Sequence, residues 1–283
     1  MDKTVRKLKR VVECYPSRDG AGVNILRLTG KQLQKEMDPF LMLDQIHSDE
    51  ANDYIAGFPD HPHRGFETIT YMKAGRLRHR DHMGNEGVIE AGDVQWMTAG
   101  RGVIHSEMPE QKDGLLHGFQ IWLNLPADEK MKPADYRDIS VEDIPVSESS
   151  RWKVKAIAGN ICVKDEENLV SLQGAIQGLS TEPLLLDIEL TSNAEIELEG
   201  SESHPLFAVV YNGSVNELLE ATAGFYAEGR SLKLTAGERG GSVLVFSGKP
   251  IQEEIAQYGP FVMNTVEELD RALEDYRRGK LTA

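Results

Sequence analysis

Four residues in the first half of the chain have the types and the spacing of a metal site. His61 and His63 are two residues apart, and on a β-strand residues i and i+2 point to the same face. His105 and Glu107 repeat this spacing. If the two pairs face each other inside a barrel, three imidazole nitrogens and one carboxylate oxygen converge on one ion. The sequence therefore predicts a mononuclear metal site.

The mixture of nitrogen and oxygen ligands indicates which ion this site prefers. Neutral imidazoles and a carboxylate suit a borderline divalent ion, and four protein ligands around an octahedral ion leave two positions for water, substrate or dioxygen. This favours Fe(2+), whereas zinc with four ligands usually closes into a tetrahedral structural site. The alternative is that a single His-x-His pair lies at a barrel rim with ordinary hydrogen bonds, and the second pair argues against it.

Glu67 is a fifth candidate ligand. It lies four residues after His63, so on a regular strand it would face the same side as both histidines. The alternative is that Glu67 bonds to the backbone or to a ligand histidine from outside the metal's own ligand shell. Pro62, between the two histidines, fits an edge strand or a strand start, where a missing backbone donor is tolerated.

Two further histidines, His79 and His82, lie in a segment rich in charge. They are three residues apart, so they do not share a strand face. We therefore predict that both are solvated residues of a hairpin.

His47 and His117 have no role assigned by their spacing. His117 is expected to lie closer to the site, because residues 119–125 have the composition of a barrel strand. On that strand Gln120 and Trp122 share one face, where they either line the cavity or, for the tryptophan, pack in the core.

The elements that position these residues are predicted to be strands. Short runs of Val, Ile, Leu, Phe and Tyr broken by Gly, Asn and Asp extend from Val23 to Phe246. Helical periodicity is confined to the end of the chain, where Thr265 is a candidate N-cap. We predict an all-β protein with a short C-terminal α-helix. The clearest strand candidates are Thr68–Met72, Val154–Ala158, Leu184–Leu190, Leu206–Tyr211 and Ser242–Phe246.

A polar break around residues 132–150 separates two strand-rich halves. We predict a metal-binding barrel over residues 1–135 and a barrel without a metal site over residues 136–283, which includes the C-terminal helix. Tyr71 to Gly75 is weakly echoed by Tyr211 to Gly213, which suggests duplication of one barrel. Seven of the eight histidines lie in the first half and only His204 in the second, so one metal centre is expected in the first barrel.

Composition and charge limit the expected partners. The net charge of -15 would repel a phosphate backbone and an anionic membrane surface, so direct nucleic-acid or membrane binding is not expected. Two cysteines are too few for a disulfide framework, and no apolar run is long enough for a signal peptide core or a membrane helix. We expect a cytoplasmic protein.

Several runs resemble the pirin family of the cupin superfamily. They are HPHRGFET (61–68), GDVQWMTAGRG (92–102), HSEMP (105–109), GFQIWLNLP (118–126) and GPFVMNT (259–265). The resemblance implies two cupin barrels, each a double-stranded β-helix or jelly roll, in one chain. It also implies one metal, usually iron, held in the N-terminal barrel by residues matching His61, His63, His105 and Glu107. In cupins generally a glutamate matching Glu67 is a ligand, whereas in pirins Glu107 matches that role.

The resemblance implies two classes of function. One is a quercetin 2,3-dioxygenase, in which a flavonol or other enediol binds iron through its 3-hydroxyl, Glu107 accepts that proton as catalytic base, and dioxygen attacks the activated ring. The other is a non-catalytic, iron-binding redox sensor that acts through a protein partner.

Overall fold

Most of the chain is β-strand in the computed structural model, which describes residues 5–166 and 169–283. The first strands are β1 (Leu8–Glu13), β2 (Tyr15–Asp19), β3 (Val23–Leu28), β4 (Phe40–Ser48), β5 (Phe58–His63), β6 (Phe66–Ala74), β7 (Leu77–Asp81), β8 (Glu86–Ile89), β9 (Val94–Thr98), β10 (Val103–Pro109), β11 (Leu116–Asn124) and β12 (Asp135–Ile139). The later strands are β13 (Val146–Glu148), β14 (Trp152–Ala158), β15 (Asn160–Lys164), β16 (Leu169–Gln173), β17 (Leu184–Leu190), β18 (Glu195–Glu199), β19 (Leu206–Val215), β20 (Leu218–Leu219), β21 (Thr222–Tyr226), β22 (Ser231–Ser247), β23 (Ala256–Tyr258) and β24 (Phe261–Met263). The α-helices are α1 (Gln34–Met37) and α2 (Val266–Arg277).

The described residues form two compact units, each built from separate stretches of chain. The histidine-rich unit comprises Tyr15–Gly30, Phe40–Val141 and Ile251–Ala283. The histidine-poor unit comprises the described parts of Met1–Cys14, Lys31–Pro39 and Glu142–Pro250.

The histidine-rich unit contains a seven-stranded sheet and a four-stranded sheet. Their strand orders are β12-β9-β6-β11-β4-β3-β2 and β5-β10-β7-β8, and every pairing within them is antiparallel. One apolar cluster contains Val23 and Ile25 of β3, Ile46 of β4 and Met72 of β6. β5 is an edge strand, so the missing backbone donor of Pro62 is tolerated as predicted.

The C-terminal segment belongs to the histidine-rich unit. β23 and β24 form a hairpin, and α2 begins after the predicted N-cap Thr265, whose Oγ1 accepts from the Glu268 backbone N–H at 3.2 Å. The Glu268 side chain accepts in return from the Thr265 N–H, which completes a capping box. The predicted C-terminal helix is therefore confirmed. Leu269 faces the core, whereas Val266, at the same periodicity, is exposed.

The histidine-poor unit is an eleven-stranded sheet. Its main strand order is β1-β21-β19-β22-β17-β14-β13, with β15, β16, β18 and β20 paired off this path. β22 is long enough to pair with β18 through its first residues and with β17 and β19 through its last. The core is a large apolar cluster in which the strands contribute alternate residues, as Leu186 and Ile188 of β17 show.

The structure divides the chain differently from the predicted boundary between residues 135 and 136. That boundary falls inside β12, which pairs with β9 from Asp135 opposite Thr98 to Ile139 opposite Val94. The terminal segments also differ, because β1 pairs with β21 of the second half and the cluster around Phe261 and Leu269 includes Ile104 of the first half. Pairings so distant in sequence leave no local pattern from which to place a boundary.

The five predicted strand segments lie within β6, β14, β17, β19 and β22, so the all-β prediction is confirmed. Among the described residues, neither helix is long and apolar enough to cross a membrane.

Candidate metal centre

β5 and β10, at one edge of the four-stranded sheet, bring three histidines together. In their antiparallel pairing His105 lies directly opposite His61, and Val103 lies opposite His63. The two predicted pairs are thus neighbours on adjacent strands of one sheet, rather than on strands that face each other. An irregularity between His105 and Glu107 places Glu107 opposite Phe58.

The rings of His61, His63 and His105 are packed closely enough to share an ion. Their centroids are 4.7 Å apart for His61 and His63, 4.3 Å for His61 and His105, and 4.9 Å for His63 and His105. One ring nitrogen of each lies within 4.8 Å of the others. His63 and His105 are buried, while His61 is partly exposed.

The hydrogen bonds of these rings leave one nitrogen of each for an ion. His61 Nδ1 lies 2.8 Å from the Pro59 carbonyl, to which it donates, so Nε2 keeps its lone pair. The His63 ring bonds to the Pro260 carbonyl, and His63 Nδ1 and His105 Nε2 have no partner among the described residues. Buried polar atoms without a partner are costly, and a divalent cation would satisfy them.

Electrostatics keep these rings in the form that binds metal. Burial, and then the neighbouring His61, lowers the pKa of His63 well below its ordinary value. Burial also lowers the pKa of His105, helped by His63, His61 and His79. A neutral imidazole offers a lone pair to a cation, whereas an imidazolium offers none. The residues therefore fit a divalent metal ion.

Glu107 is buried and held by Thr70. Thr70 Oγ1 lies 2.7 Å from Glu107 Oε1 and 2.7 Å from Gln120 Oε1. A hydroxyl has one proton to donate, and the carboxylate is the stronger acceptor. We therefore expect the Gln120 amide to turn its NH₂ group towards Thr70, which leaves Glu107 Oε2 available.

His79 belongs to this site, and the prediction that it is solvated is wrong. Its side chain is 0% exposed, and His79, His105 and Glu107 form a second group whose ligand atoms lie within 4.8 Å of one another. The sequence signal was alternation on β7, where Leu77 and His79 are buried and Arg78 and the next arginine are exposed.

His82 does lie on the surface as predicted. Its Nδ1 accepts from the backbone N–H of Ile104 at 3.4 Å.

Glu67 does not face the histidines. Its carboxylate accepts from Trp96 Nε1 at 3.1 Å and Thr98 Oγ1 at 2.7 Å, and Lys132 Nζ lies at 3.4 Å. Neither the fifth-ligand role nor a bond to a ligand histidine is found. The reason is a turn, because Gly65 has a positive φ of 91° and separates β5 from β6, so strand parity does not carry over from His63.

Trp122, for which cavity lining and core packing are both predicted as alternatives, lies beside the site and also packs against the apolar cluster around Phe66. Its ring is 5.5 Å from that of His63, in an edge-on arrangement, and 4.3 Å from that of Phe66. His117 is on the other face of β11, where its ring stacks on His47 at 4.3 Å. The expectation that His117 approaches the site is wrong, since Gln45 is its neighbour.

The C-terminal segment holds the turn that follows His63. Arg64 is buried, and its guanidinium donates to Asp275 Oδ2 at 2.8 Å and to the Leu281 carbonyl at 3.2 Å. Lys130 Nζ, also buried, donates to the carbonyls of Gly65 at 2.7 Å and Val262 at 3.1 Å. Sequence reasoning missed both residues, since their partners are far away in the chain.

The four residues predicted as metal ligands thus fall into two overlapping groups that share His105. Both groups offer imidazole nitrogens, and the second adds a carboxylate. Such a set can bind a divalent transition metal and leave positions open for substrate.

Two family models match the sequence. The model described as Pirin matches residues 22–123, and the model described as Pirin C-terminal cupin domain matches residues 185–282.

Similar proteins match along most of their length. A protein of Pseudomonas aeruginosa named "Putative quercetin 2,3-dioxygenase" is 46% identical over 275 residues, which are 94% of this chain and 95% of that protein. The crystal structure of a quercetin 2,3-dioxygenase from Acinetobacter baumannii has a TM-score of 0.87 at 32% identity and covers 99% of both chains. A bacterial pirin from Escherichia coli in complex with nickel(II), at 17% identity and a TM-score of 0.59, covers 85% of this chain and 99% of its own and shares the fold.

Proposed function

This chain belongs to the pirin family of two-barrel cupin proteins, and we propose that it is an iron-dependent dioxygenase that opens flavonols such as quercetin at the 2,3 position. The ion is Fe(2+), held by His61, His63, His105 and Glu107. The proposal includes a cytoplasmic location.

One observation carries the metal part of the proposal. Two buried imidazole nitrogens, His63 Nδ1 and His105 Nε2, lack a hydrogen-bond partner among the described residues, and they lie in a group with His61 whose ligand atoms are within 4.8 Å of each other. Hydrogen-bonded core histidines would not leave such atoms empty. The similarity to the quercetin 2,3-dioxygenase of Acinetobacter baumannii supports the reaction.

The shape of the site indicates the side from which a flavonol enters. The cavity beside Glu107 and Thr70, lined also by Phe58 and Met72, has a volume of only about 10 Å³, which is at most enough for one water molecule and far too small for three rings. His61, by contrast, is partly exposed and follows the exposed Asp60. We therefore place the flavonol on the His61 side of the centre.

Glu107 would accept the proton of the flavonol 3-hydroxyl. A bound divalent ion acts as a Lewis acid that makes this hydroxyl more acidic. Thr70 donates to Oε1 at 2.7 Å, so Oε2 is the atom left for the ion or for the proton. Trp122, beside His63, would offer a face for ring stacking.

Aerobic turnover of quercetin tests the proposed reaction. Iron-loaded protein is expected to consume one molecule of oxygen per quercetin and to release one molecule of carbon monoxide, as measured with an oxygen electrode and by gas analysis. The variants His61→Ala and Glu107→Ala should lose both signals, because each removes a proposed ligand.

A control comes from the exposed His82, since His82→Ala should keep full turnover. The proposed reaction would be refuted if iron-replete protein showed no oxygen consumption with any flavonol.

A further inference from the structure

His79 is a buried histidine whose role the proposed ligand set leaves open. It lies on β7 directly opposite Glu107 of β10, and its neighbour Asp81 lies opposite His105. Its side chain is 0% exposed. Because the His79 side chain has no contact with solvent, its role must follow from its contacts with neighbouring protein groups.

The first contact joins His79 to His105. Their Nδ1 atoms are 3.4 Å apart. A neutral imidazole carries one N–H, so of two facing nitrogens one donates and the other accepts. If His105 offers its partnerless Nε2 to a metal ion, its proton resides on Nδ1. His79 Nδ1 must then be the acceptor, and the proton of His79 resides on Nε2.

The second contact joins His79 to Asp81. His79 Nε2 lies 3.8 Å from Asp81 Oδ2, and the Asp81 side chain is also 0% exposed. This carboxylate is fixed by the backbone N–H groups of Met83 at 2.9 Å and Asn85 at 3.0 Å and by Asn85 Nδ2 at 2.8 Å. At 3.8 Å the contact is electrostatic rather than a hydrogen bond, and it favours the tautomer that points N–H at the carboxylate.

A third contact limits the movement of the His79 ring. The ring of Tyr136 lies 4.8 Å from it at an angle of 34°, and the Tyr136 hydroxyl accepts from Gln95 Nε2 at 3.2 Å. His79 is therefore held on one side by Tyr136 and on the other by His105.

We propose that His79, oriented by Asp81, is a positioning residue that fixes the tautomer and the ring orientation of His105 at the metal centre. The chain of contacts runs from a fixed carboxylate through His79 to His105. It resembles the carboxylate–histidine arrangement that commonly supports metal ligands, with a second imidazole inserted. This inference rests on the proposed metal centre, though not on the proposed reaction.

Geometry favours this role over direct ligation by His79, even though His79, His105 and Glu107 lie within 4.8 Å of one another. The two nitrogens of an imidazole point in nearly opposite directions. An ion bound to His105 Nε2, on the side of His61 and His63, is thus out of reach of a group bonded to Nδ1.

Two substitutions separate the hydrogen bond from packing. His79→Asn keeps an acceptor oxygen near the position of Nδ1, whereas His79→Leu fills the space without an acceptor. Purified full-length chains are loaded with Fe(2+) without oxygen, or with Co(2+) as a spectroscopic probe, and the metal Kd is measured by competition with a chelator. We expect His79→Leu to raise the Kd about 10- to 100-fold, as loss of an outer partner usually does.

His79→Asn should restore the Kd to within roughly threefold of the wild type, because it retains the acceptor for the His105 proton. X-ray absorption on the metal should count the same number of imidazole ligands in all three proteins. His82→Leu, in the same segment and exposed, should bind as the wild type does. Thermal unfolding of the metal-free proteins shows that each variant is folded.

Three results overturn the inference. If His79→Leu binds metal as tightly as the wild type, His79 has no role at His105. If His79→Asn is as weak as His79→Leu, the effect is packing. If one imidazole disappears from the metal in His79→Leu, His79 is itself a ligand. A wild-type chain that binds no metal refutes the proposed centre, whereas metal binding without quercetin turnover refutes only the reaction.

Discussion

The two units differ most along one row of residues that crosses the sheet of each. In the histidine-poor unit, four neighbouring strands place Val154, Ile188, Val243 and Val210 side by side, and all four are buried. This row is part of the apolar core. The row stabilises the fold by burying apolar surface, an effect that is proportional to the buried area and does not depend on the orientation of the groups.

The row in the histidine-rich unit is polar. Arg27, Asp44, Gln120, Thr70 and Gln95 lie side by side on five adjacent strands. Arg27 donates two hydrogen bonds to Asp44, at 2.7 and 2.6 Å, and Thr70 reaches Glu107. Burying such groups is costly unless each is paired.

The same β architecture therefore carries either an apolar or a polar row, according to its side chains. The apolar row belongs to a core, while in the polar row Thr70 bonds to Glu107, whose carboxylate lies close to His79 and His105. Function belongs to the site rather than to the barrel. Variants of either row should therefore separate stability from metal binding.

The largest effect on stability is expected from Lys130→Met. The change leaves the buried carbonyls of Gly65 and Val262 and the Asn124 side chain without their shared donor, which should cost about 4 kcal/mol of unfolding free energy. Metal affinity should fall too, because this lysine anchors the turn after His63.

Thermal unfolding and metal content measure both effects. Lys112→Met, at an exposed position, is the matched control and should change neither. A Lys130→Met protein as stable as the wild type would show that the hydrogen bonds of Lys130 are not needed for stability.

Ile188→Ala should destabilise the protein almost as much without affecting the metal. Removing a buried isoleucine side chain from a packed core costs about 3 kcal/mol. The metal Kd should stay at the wild-type value, because Ile188 belongs to the core of the histidine-poor unit. Loss of metal from the folded variant would contradict the separation of roles.

Thr70→Val, unlike Ile188→Ala, should weaken metal binding. It keeps the shape of the side chain and removes the donor to Glu107 Oε1, so metal affinity should weaken roughly tenfold, equivalent to about 1.4 kcal/mol for a hydrogen bond to a charged group. Chelator competition measures the affinity. An unchanged Kd would mean that the polar row does not orient Glu107.

The smallest effect is expected from Thr265→Ala. Loss of the N-cap of α2 should lower the unfolding free energy by about 1 kcal/mol and leave metal binding intact. Thr265→Ser keeps the hydroxyl and should be near the wild type in thermal unfolding. Equal losses in both variants would show that the cap bond is not the cause.

Local spacing made much of this predictable. The strand segments and the α2 cap follow from short-range patterns, and the two-residue spacings place His61 with His63 and His105 with Glu107 because strand parity fixes a face. The burial of His79 was not predicted, because the charged residues beside it indicated exposure. The alternation of buried and exposed residues on β7 was overlooked, and the partner of His79, His105, is 26 residues away.

Long-range pairing explains the rest. Glu67 does not face the histidines because the turn at Gly65 interrupts the alternation of side-chain faces between His63 and Glu67. The C-terminal segment packs within the histidine-rich unit through contacts with Arg64 that span more than 200 residues, with the Asp275 bond at a separation of 211. No local pattern in a single sequence records such contacts. The weak echo between Tyr71 and Tyr211 nevertheless falls on corresponding central strands, β6 and β19.

We propose that one metal ion binds in the histidine-rich unit, and elemental analysis of three anaerobically purified, iron-supplied proteins is the most direct measurement of this. We predict about one iron per wild-type chain, almost none in His105→Ala, and a full complement in His204→Ala, whose histidine is the one in the histidine-poor unit. Metal-free wild-type protein, or iron retained by folded His105→Ala, would contradict it.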